Sequence, residues 1–115
     1  MEFTQKQKQT ISKIYNTLKK AGFDDISIAG ILGNALSESS FDPDSVSKSG
    51  YHGLWQNSKD IHNAVVKTYG NHNIDTQLRY LIDWANGSKN ITQGQYADWL
   101  ATGAGKFKKK GYKTV

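Results

Sequence analysis

The chain has 115 residues, no cysteine and a formal net charge of +5, and 37% of its residues are hydrophobic. This length suits one domain with a modest core, and the lack of cysteine excludes disulfides, thiolate nucleophiles and cysteine zinc sites. No run of about 18 apolar residues occurs and the N-terminus is polar, so we expect neither a membrane span nor a secretory signal peptide.

The first predicted helix is amphipathic and ends near Gly22, a residue type typical of a left-handed helix cap. Its apolar residues follow the i, i+3, i+4, i+7 pattern of one helical face. They are Ile11, Ile14, Tyr15 and Leu18.

A second, more apolar helix is predicted to begin near Asp24, Asp25 or Ser27, and Pro43 prevents its continuation. Its apolar residues are Ile28, Ile31, Leu32, Ala35 and Leu36. It also contains Gly30 and Gly33, and each glycine inside a helix costs about 1 kcal/mol. We therefore expect these glycines to allow close packing against another helix.

The rest of the chain is predicted as a polar loop followed by three short helices. Residues 42–58 are loop-like, with at most a small β-hairpin around residues 45–57. Thr92 and Gln95 form a capping-box pattern that opens the last helix. The helix before it is predicted to begin at Asn73 or Asp75 and to end near Gly87. The helix before that is predicted to begin at Asn57 or Ser58 and to end at Gly70. The fold predicted is mainly α, a single domain over residues 1–115 with about five short helices and a basic tail at residues 104–115.

Glu38 is the strongest candidate for a catalytic side chain. It falls in the last predicted turn of the second helix, at the edge of its apolar face. Packing against Ile31, Ala35 and Phe41 would raise the pKa of its carboxyl and keep a proton available for a glycosidic oxygen. The residues therefore suggest a general acid, and a solvated glutamate at a helix end is the alternative.

A second carboxylate is harder to choose. Most glycosidases pair two acids, about 5–5.5 Å apart for retention or about 6.5–9.5 Å apart for inversion. The candidates are Asp42, Asp44 and Asp60. Each also has a simple structural explanation, since Asp42 and Asp44 flank Pro43 in a turn and Asp60 suits a helix N-terminus. A mechanism that uses Glu38 alone, first as acid and then as base, would need none of them.

The predicted loop carries side chains that suit a carbohydrate groove. The amide of Gln56 can donate to and accept from sugar groups, and the rings of Tyr51 and Trp55 can stack on sugar faces. Tyr80, in a later helix, is a further candidate contact. Each of these aromatic rings could instead fill the core.

The three histidines, His52, His62 and His72, do not form a recognisable metal motif. They recur every ten residues, without the i, i+4 spacing of a helical metal site, and no HExxH sequence occurs. We therefore predict no metal and no cofactor. His52 remains a candidate ligand contact beside the loop, or an ordinary loop histidine.

Three motifs, in order, resemble the lysozyme domain of phage tail-associated lysins, within the lytic transglycosylase and goose-type lysozyme superfamily. They are Ile31-Leu32-Gly33-Asn34, then Glu38-Ser39-Ser40-Phe41-Asp42-Pro43, then Gly53-Leu54-Trp55-Gln56. A later stretch, Asp75-Thr76-Gln77-Leu78-Arg79-Tyr80, also resembles a helix of these lysins. The resemblance covers about residues 25–84 and, more loosely, the rest.

This resemblance implies a lysozyme-like helical fold that cleaves the β-1,4 bond between N-acetylmuramic acid and N-acetylglucosamine in peptidoglycan. Glu38 matches the catalytic acid, and Ser39, Tyr51 and Gln56 match positions around the substrate groove. Goose-type lysozymes have an aspartate where this chain has Ser58, so hydrolysis and transglycosylation both remain open. The resemblance also implies a phage enzyme that acts at the bacterial wall. It is either a tail protein of the virion, in contact with other tail proteins, or an endolysin released from inside the cell.

Charge placement suggests further partners. Five lysines lie near the C-terminus, whereas the other basic residues are balanced by acidic ones. Such a tail could bind anionic wall polymers or simply be solvated. Nucleic acid is a weaker candidate, because Arg79 is the only arginine and base recognition relies on arginine. A wall-binding or tail-structural module without catalysis is the remaining alternative.

Overall fold

The computed structural model of the protein describes residues 2–86, which form four α-helices in one packed unit. The helices are α1 (Gln5–Ala21), α2 (Asp25–Ser39), α3 (Lys59–Tyr69) and α4 (Ile74–Ala85). Helix α1 packs on α2 and α4, and α3 packs on α4. The predicted mainly α class is confirmed. The predicted fifth helix, which contains Thr92 and Gln95, and the basic tail at 104–115 lie outside the described residues.

Side-chain caps determine where the helices begin. Asp24 accepts a hydrogen bond from the Ser27 amide at the start of α2, and Ser58 and Asn73 cap α3 and α4 in the same way. The start of α1 was not predicted. There Thr4 and Gln7 form a reciprocal capping box, which the Thr-x-x-Gln pattern could have indicated.

The loop at residues 43–57, called here the 43–57 loop, connects α2 to α3. It contains no strand, but isolated antiparallel bridges pair His52 with Val46 and with Asn57. The His52 amide donates to the Asn57 carbonyl at 2.8 Å, and the Asn57 amide donates back at 2.7 Å. These bridges agree with the expectation of at most a small hairpin at residues 45–57.

One core, shared by all four helices and the 43–57 loop, stabilises the described part of the chain. Burying its aliphatic and aromatic side chains contributes about 1.5–3 kcal/mol for each large residue before entropy is considered. The core side chains are Ile14, Leu18, Phe23, Ile28, Ile31, Ala35, Phe41, Leu54, Trp55, Ile61, Val65, Leu78, Tyr80, Leu81, Ile82 and Trp84.

The expectation for the α2 glycines is wrong. Gly30 and Gly33 are both exposed, and a Cβ added at either would meet no heavy atom within 4 Å. Neither glycine therefore allows a close helix contact within the described part of the chain. The apolar face that does pack, which includes Ile28 and Ile31, lies elsewhere on the helix.

No helix within residues 2–86 has the length and apolar character needed to cross a membrane.

Candidate functional site

Glu38 lies in the last turn of α2, as predicted, but its side chain is exposed. Ile31, Ala35 and Phe41, which were expected to shield it, are themselves buried in the core. The expectation of a half-buried carboxyl in the free protein is therefore wrong. The described part of the chain presents this acid to solvent at the point where α2 meets the 43–57 loop.

The 43–57 loop is fastened to α2 beside Glu38. The hydroxyl of Ser39 lies 2.8 Å from the Leu54 carbonyl and 3.0 Å from the Ala35 carbonyl. The indole N–H of Trp55 donates to the Ile31 carbonyl at 3.1 Å. Because a hydroxyl has one hydrogen to donate, the Ser39 donor is occupied in holding the loop, while its oxygen can still accept; its role as a substrate contact stays a prediction.

The backbone on both sides of this attachment has an uncommon conformation. Ser40 and Phe41, directly after Glu38 and Ser39, have φ values of 53° and 63°, and Gln56 has a φ of 50°. Residues other than glycine rarely adopt positive φ, and such strain concentrates at functional sites. Three strained residues therefore surround the junction that carries Glu38.

Gln56 and Tyr51 were predicted to contact substrate, and the structure places them differently. The Gln56 side-chain amide donates to the Gly53 carbonyl at 3.0 Å and lies 3.4 Å from the Ser45 carbonyl, so its nitrogen helps to shape the loop. Tyr51 is 42% exposed on the same loop, and Val46, which pairs with His52, is 61% exposed. Tyr51 is therefore available to a ligand, whereas the Gln56 nitrogen already has partners.

Trp55 and Tyr80 are core side chains, which corrects their assignment as substrate contacts. Trp55 is 3% exposed and Tyr80 is 1% exposed. Burial raises the pKa of the Tyr80 hydroxyl above its usual value, because the charged form would lose its hydration. Neither ring can stack on a sugar unless the fold opens.

Gln77, at the start of α4, holds the 43–57 loop at Pro43 and at Leu54, a role that no local sequence pattern indicates. Its side chain is 1% exposed. The Oε1 atom accepts from the Leu54 amide at 2.8 Å, and the Nε2 atom donates to the carbonyls of Pro43 at 2.9 Å and His72 at 3.1 Å. Each polar atom is paired, as burial requires.

The three histidines form a cluster that the sequence analysis did not predict. The rings of His52 and His62 stack with centroids 3.9 Å apart, and His72 meets His62 edge-on at 4.5 Å. The side-chain amide nitrogen of Asn57 lies 3.3 Å from Nε2 of His72, and in this amide orientation the pair forms a hydrogen bond when that ring nitrogen is unprotonated. A cavity of about 150 Å³ lies against the cluster and is also lined by Asp44.

Burial and the neighbouring rings favour the neutral forms of His62 and His72. Burial, together with the neighbouring imidazoles of His62 and His52, lowers the pKa of His72 to about 4. Burial and the His52 imidazole likewise lower the pKa of His62 below its usual value. Within residues 2–86, no three histidine or acidic side chains are arranged to hold a metal ion.

The candidate second carboxylates are all exposed. Asp42 accepts a hydrogen bond from the Asp44 amide at 2.9 Å, the turn geometry expected for an aspartate before proline. Asp60 lies in the first turn of α3, and Asp44 faces the histidine cavity. A separate open cavity of about 240 Å³ begins two residues after Glu38 and is lined by Thr4, Lys6, Gln7, Ser40, Phe41 and Asp42.

A family model described as phage tail lysozyme matches residues 9–111, which is most of the chain. No curated protein and no solved structure matches the chain.

Proposed function

Because the chain belongs to the phage tail lysozyme family, a family of lysozyme-like, peptidoglycan-acting domains, we propose that it cleaves the β-1,4 bond between N-acetylmuramic acid and N-acetylglucosamine. Glu38 is the proposed general acid. The observation that carries this proposal is the junction where Glu38 ends α2 beside two left-handed residues and a tethered loop. A rigid, strained support is what an acid needs to meet a glycosidic oxygen in a fixed geometry.

An exposed carboxyl can serve as a general acid if the substrate itself removes water. A glycan strand lying over the end of α2 would desolvate Glu38, and desolvation raises the pKa of a carboxyl. Proton transfer to the leaving oxygen would then proceed near neutral pH. Glu38 is therefore solvated in the free protein, and bound glycan would make it the proton donor.

Two open features of the described part of the chain suit the strand. The cavity that begins two residues after Glu38 is lined by Phe41 together with the polar side chains of Asp42 and Lys6, a mixture of apolar and polar groups that suits a sugar subsite. The exposed ring of Tyr51, on the 43–57 loop, can stack on a sugar face. In this arrangement Tyr51 takes the place of the buried Trp55 and Tyr80 as the aromatic contact, and His52, in the same loop, has no direct role.

The second half of the reaction allows two routes. After protonating the leaving oxygen, the Glu38 carboxylate can accept a proton from an attacking hydroxyl of the same sugar, which gives a 1,6-anhydro product and needs no second acid. Alternatively a water attacks, with Asp42, Asp44 or Asp60 as base. The sequence has Ser58 where goose-type lysozymes have their aspartate, and this favours the first route.

The test compares wall lysis by the native chain, Glu38→Gln and Glu2→Gln. Glu2 is the only other glutamate, is exposed, and serves as the matched control. We expect turbidity of purified walls to fall with the native chain and with Glu2→Gln, and activity to drop by a factor of about 100 or more in Glu38→Gln. Equal activity in all three chains would remove Glu38 from the mechanism.

A wall-binding module without catalysis is the second candidate, and the exposure of Glu38 in the free protein is what favours it. This candidate predicts that the native chain sediments with purified walls at several pH values while no soluble sugar appears. Release of muropeptides at any of these pH values contradicts it.

The location and partners follow from the same family. We propose that the chain acts as part of a phage tail at the bacterial wall, in contact with other tail proteins. The lysines of residues 104–115 would bind anionic wall polymers. Wall binding that weakens with added salt, and weakens again when residues 104–115 are removed, would support this; unchanged binding would contradict it.

A further inference from the structure

The histidine cluster joins three separate parts of the fold. His52 belongs to the 43–57 loop, His62 to the middle of α3, and His72 to the turn between α3 and α4. The rings of His52 and His62 face each other at 3.9 Å, and His72 lies 4.5 Å from His62 and 6.3 Å from His52. The cluster therefore forms part of the contact between the loop and the helices.

The same contact includes one hydrogen bond to a histidine ring. The Asn57 amide nitrogen lies 3.3 Å from His72 Nε2, and Nδ1 of His62 is buried without a partner in the described part of the chain. Gln77 holds the His72 carbonyl and the Leu54 amide within the same network. In this orientation of the Asn57 amide, a proton on His72 Nε2 would face a second donor.

We propose that His52, His62 and His72 form a proton-responsive latch, whose protonation in mildly acidic conditions releases the 43–57 loop from α3 and α4. Two positive imidazoles at stacking distance repel each other, and the energy falls when the loop moves away. Neutral rings pack and hold the loop closed.

The charges around the cluster do not cancel this repulsion. The loop contributes the carboxylate of Asp44, which lines the adjoining cavity and is exposed, so its attraction is screened by water. Helix α4 contributes the uncharged Gln77. Asp60, on α3 two residues before His62, is exposed and lies on a different part of the helix surface.

The direction of the pH effect follows from the lowered pKa values. The unfolded chain binds protons near the ordinary histidine pKa of 6.5, whereas His72 in the folded protein binds one only near pH 4. The cluster therefore stabilises the closed loop fully above pH 6.5, and this stabilisation is lost as the pH falls from 6.5 toward 4.

Amide hydrogen exchange of the whole chain, corrected for intrinsic rates, tests the latch at pH 7.5 and at pH 4.5. We expect loop opening to increase by a factor of ~10 or more at the lower pH, since each pKa unit corresponds to a tenfold change in population. The amides to follow are those of His52, Leu54 and Asn57, with amides in the middle of α1 as the internal control. Equal loss of protection in the loop and in α1 would overturn the proposal.

The variant His62→Phe keeps an aromatic ring in the stack and removes the central charge. We expect it to lose less loop protection at pH 4.5 than the native chain, since only the His72 contact with Asn57 still responds to acid; a pH response equal to that of the native chain would overturn the proposal. If this variant does not fold, NMR titration of the native imidazoles decides. All three titrating near 6.5 would refute the latch, and one or more titrating well below it, together with loop opening, would support it.

One consequence of the latch rests on the proposed function: opening of the loop should reduce wall lysis. The 43–57 loop carries Tyr51 and is tied to the end of α2 through Ser39. Below about pH 6, we expect wall lysis by the native chain to decrease as the loop amides lose their protection from hydrogen exchange. The decrease should be less steep in His62→Phe. A chain that opens its loop on acidification but never cleaves walls would contradict the proposed function and leave the latch intact.

Discussion

Replacing Gln77 with leucine should destabilise the protein far more than its position in a helix suggests. The change removes three hydrogen bonds and leaves the Leu54 amide and the carbonyls of Pro43 and His72 without their partners. The Leu54 amide is fully buried, and leaving such a group unpaired costs about 1–3 kcal/mol. The two carbonyls are partly buried and can recruit water, so each adds less.

We expect a total loss of about 3 kcal/mol in the free energy of unfolding for Gln77→Leu. For a domain of this size that corresponds to a fall in Tm of roughly 10–20 °C. Urea unfolding followed by circular dichroism measures the first quantity and a thermal melt the second. Hydrogen exchange at the Leu54 amide should also accelerate, since this amide loses its acceptor.

The matched control is Gln9→Leu, the same chemical change at an exposed position of α1. It should alter stability by no more than about 0.5 kcal/mol. If Gln77→Leu is within the same range as Gln9→Leu, the hydrogen bonds of Gln77 do not hold the loop, and the account of the 43–57 loop is wrong.

Two further substitutions test the backbone around the site. Ser40→Gly should stabilise the protein by about 0.5–1 kcal/mol, because Ser40 has a φ of 53° and glycine adopts positive φ without strain. Ser37→Gly, inside α2, should destabilise the protein by a similar amount, because glycine disfavours the helix. Denaturant midpoints that move in the same direction for both variants would contradict this. Gly53→Ala should cost about 2–4 kcal/mol, because Gly53 has a φ of +83° and an added Cβ would lie 2.8 Å from both Gln77 Cδ and His72 Cε1; a variant that melts at the native temperature would show that the loop can shift to admit the methyl group.

The helices could be predicted because each one is encoded locally. Ser58 and Asn73 are side-chain caps, Gly22 and Gly70 end their helices with positive φ, and a 3.6-residue period marks each buried face. These signals lie within a few residues of one another in the sequence. The bounds that were predicted for the described helices therefore agree with the structure to within a few residues, and the start of α1 was not predicted.

The contacts of the 43–57 loop could not be predicted, because they join residues that are far apart in the sequence. The three histidines are ten residues apart, a spacing that places no two of them on one helical face, yet the loop and the α3–α4 turn bring them together. Gln77 looks like an ordinary polar residue of a helix start until the loop is seen to cover it. Long-range polar contacts of this kind have no local pattern.

The fold shows which of the aromatic side chains predicted to contact sugar are buried and which are exposed. Trp55 and Tyr51 belong to the same short loop and were equally suited to stacking on sugars, but one ring turned inward to pack on α2 and the other remained exposed. Glu38 was predicted to be half-buried but is exposed, since the apolar residues expected to cover it face the core. A residue's type indicates what it can do, while the packing of its neighbours decides whether it is free to do so.

The most direct test of Glu38 as the proton donor is mass spectrometry of soluble fragments from purified walls, treated with equal amounts of folded native chain and Glu38→Gln. The account predicts muropeptides that end in N-acetylmuramic acid, in the reducing or the 1,6-anhydro form, from the native chain, and a yield lower by a factor of about 100 or more from the variant. Equal yields from both chains, or fragments cut only in the peptide or at the other sugar, would contradict it.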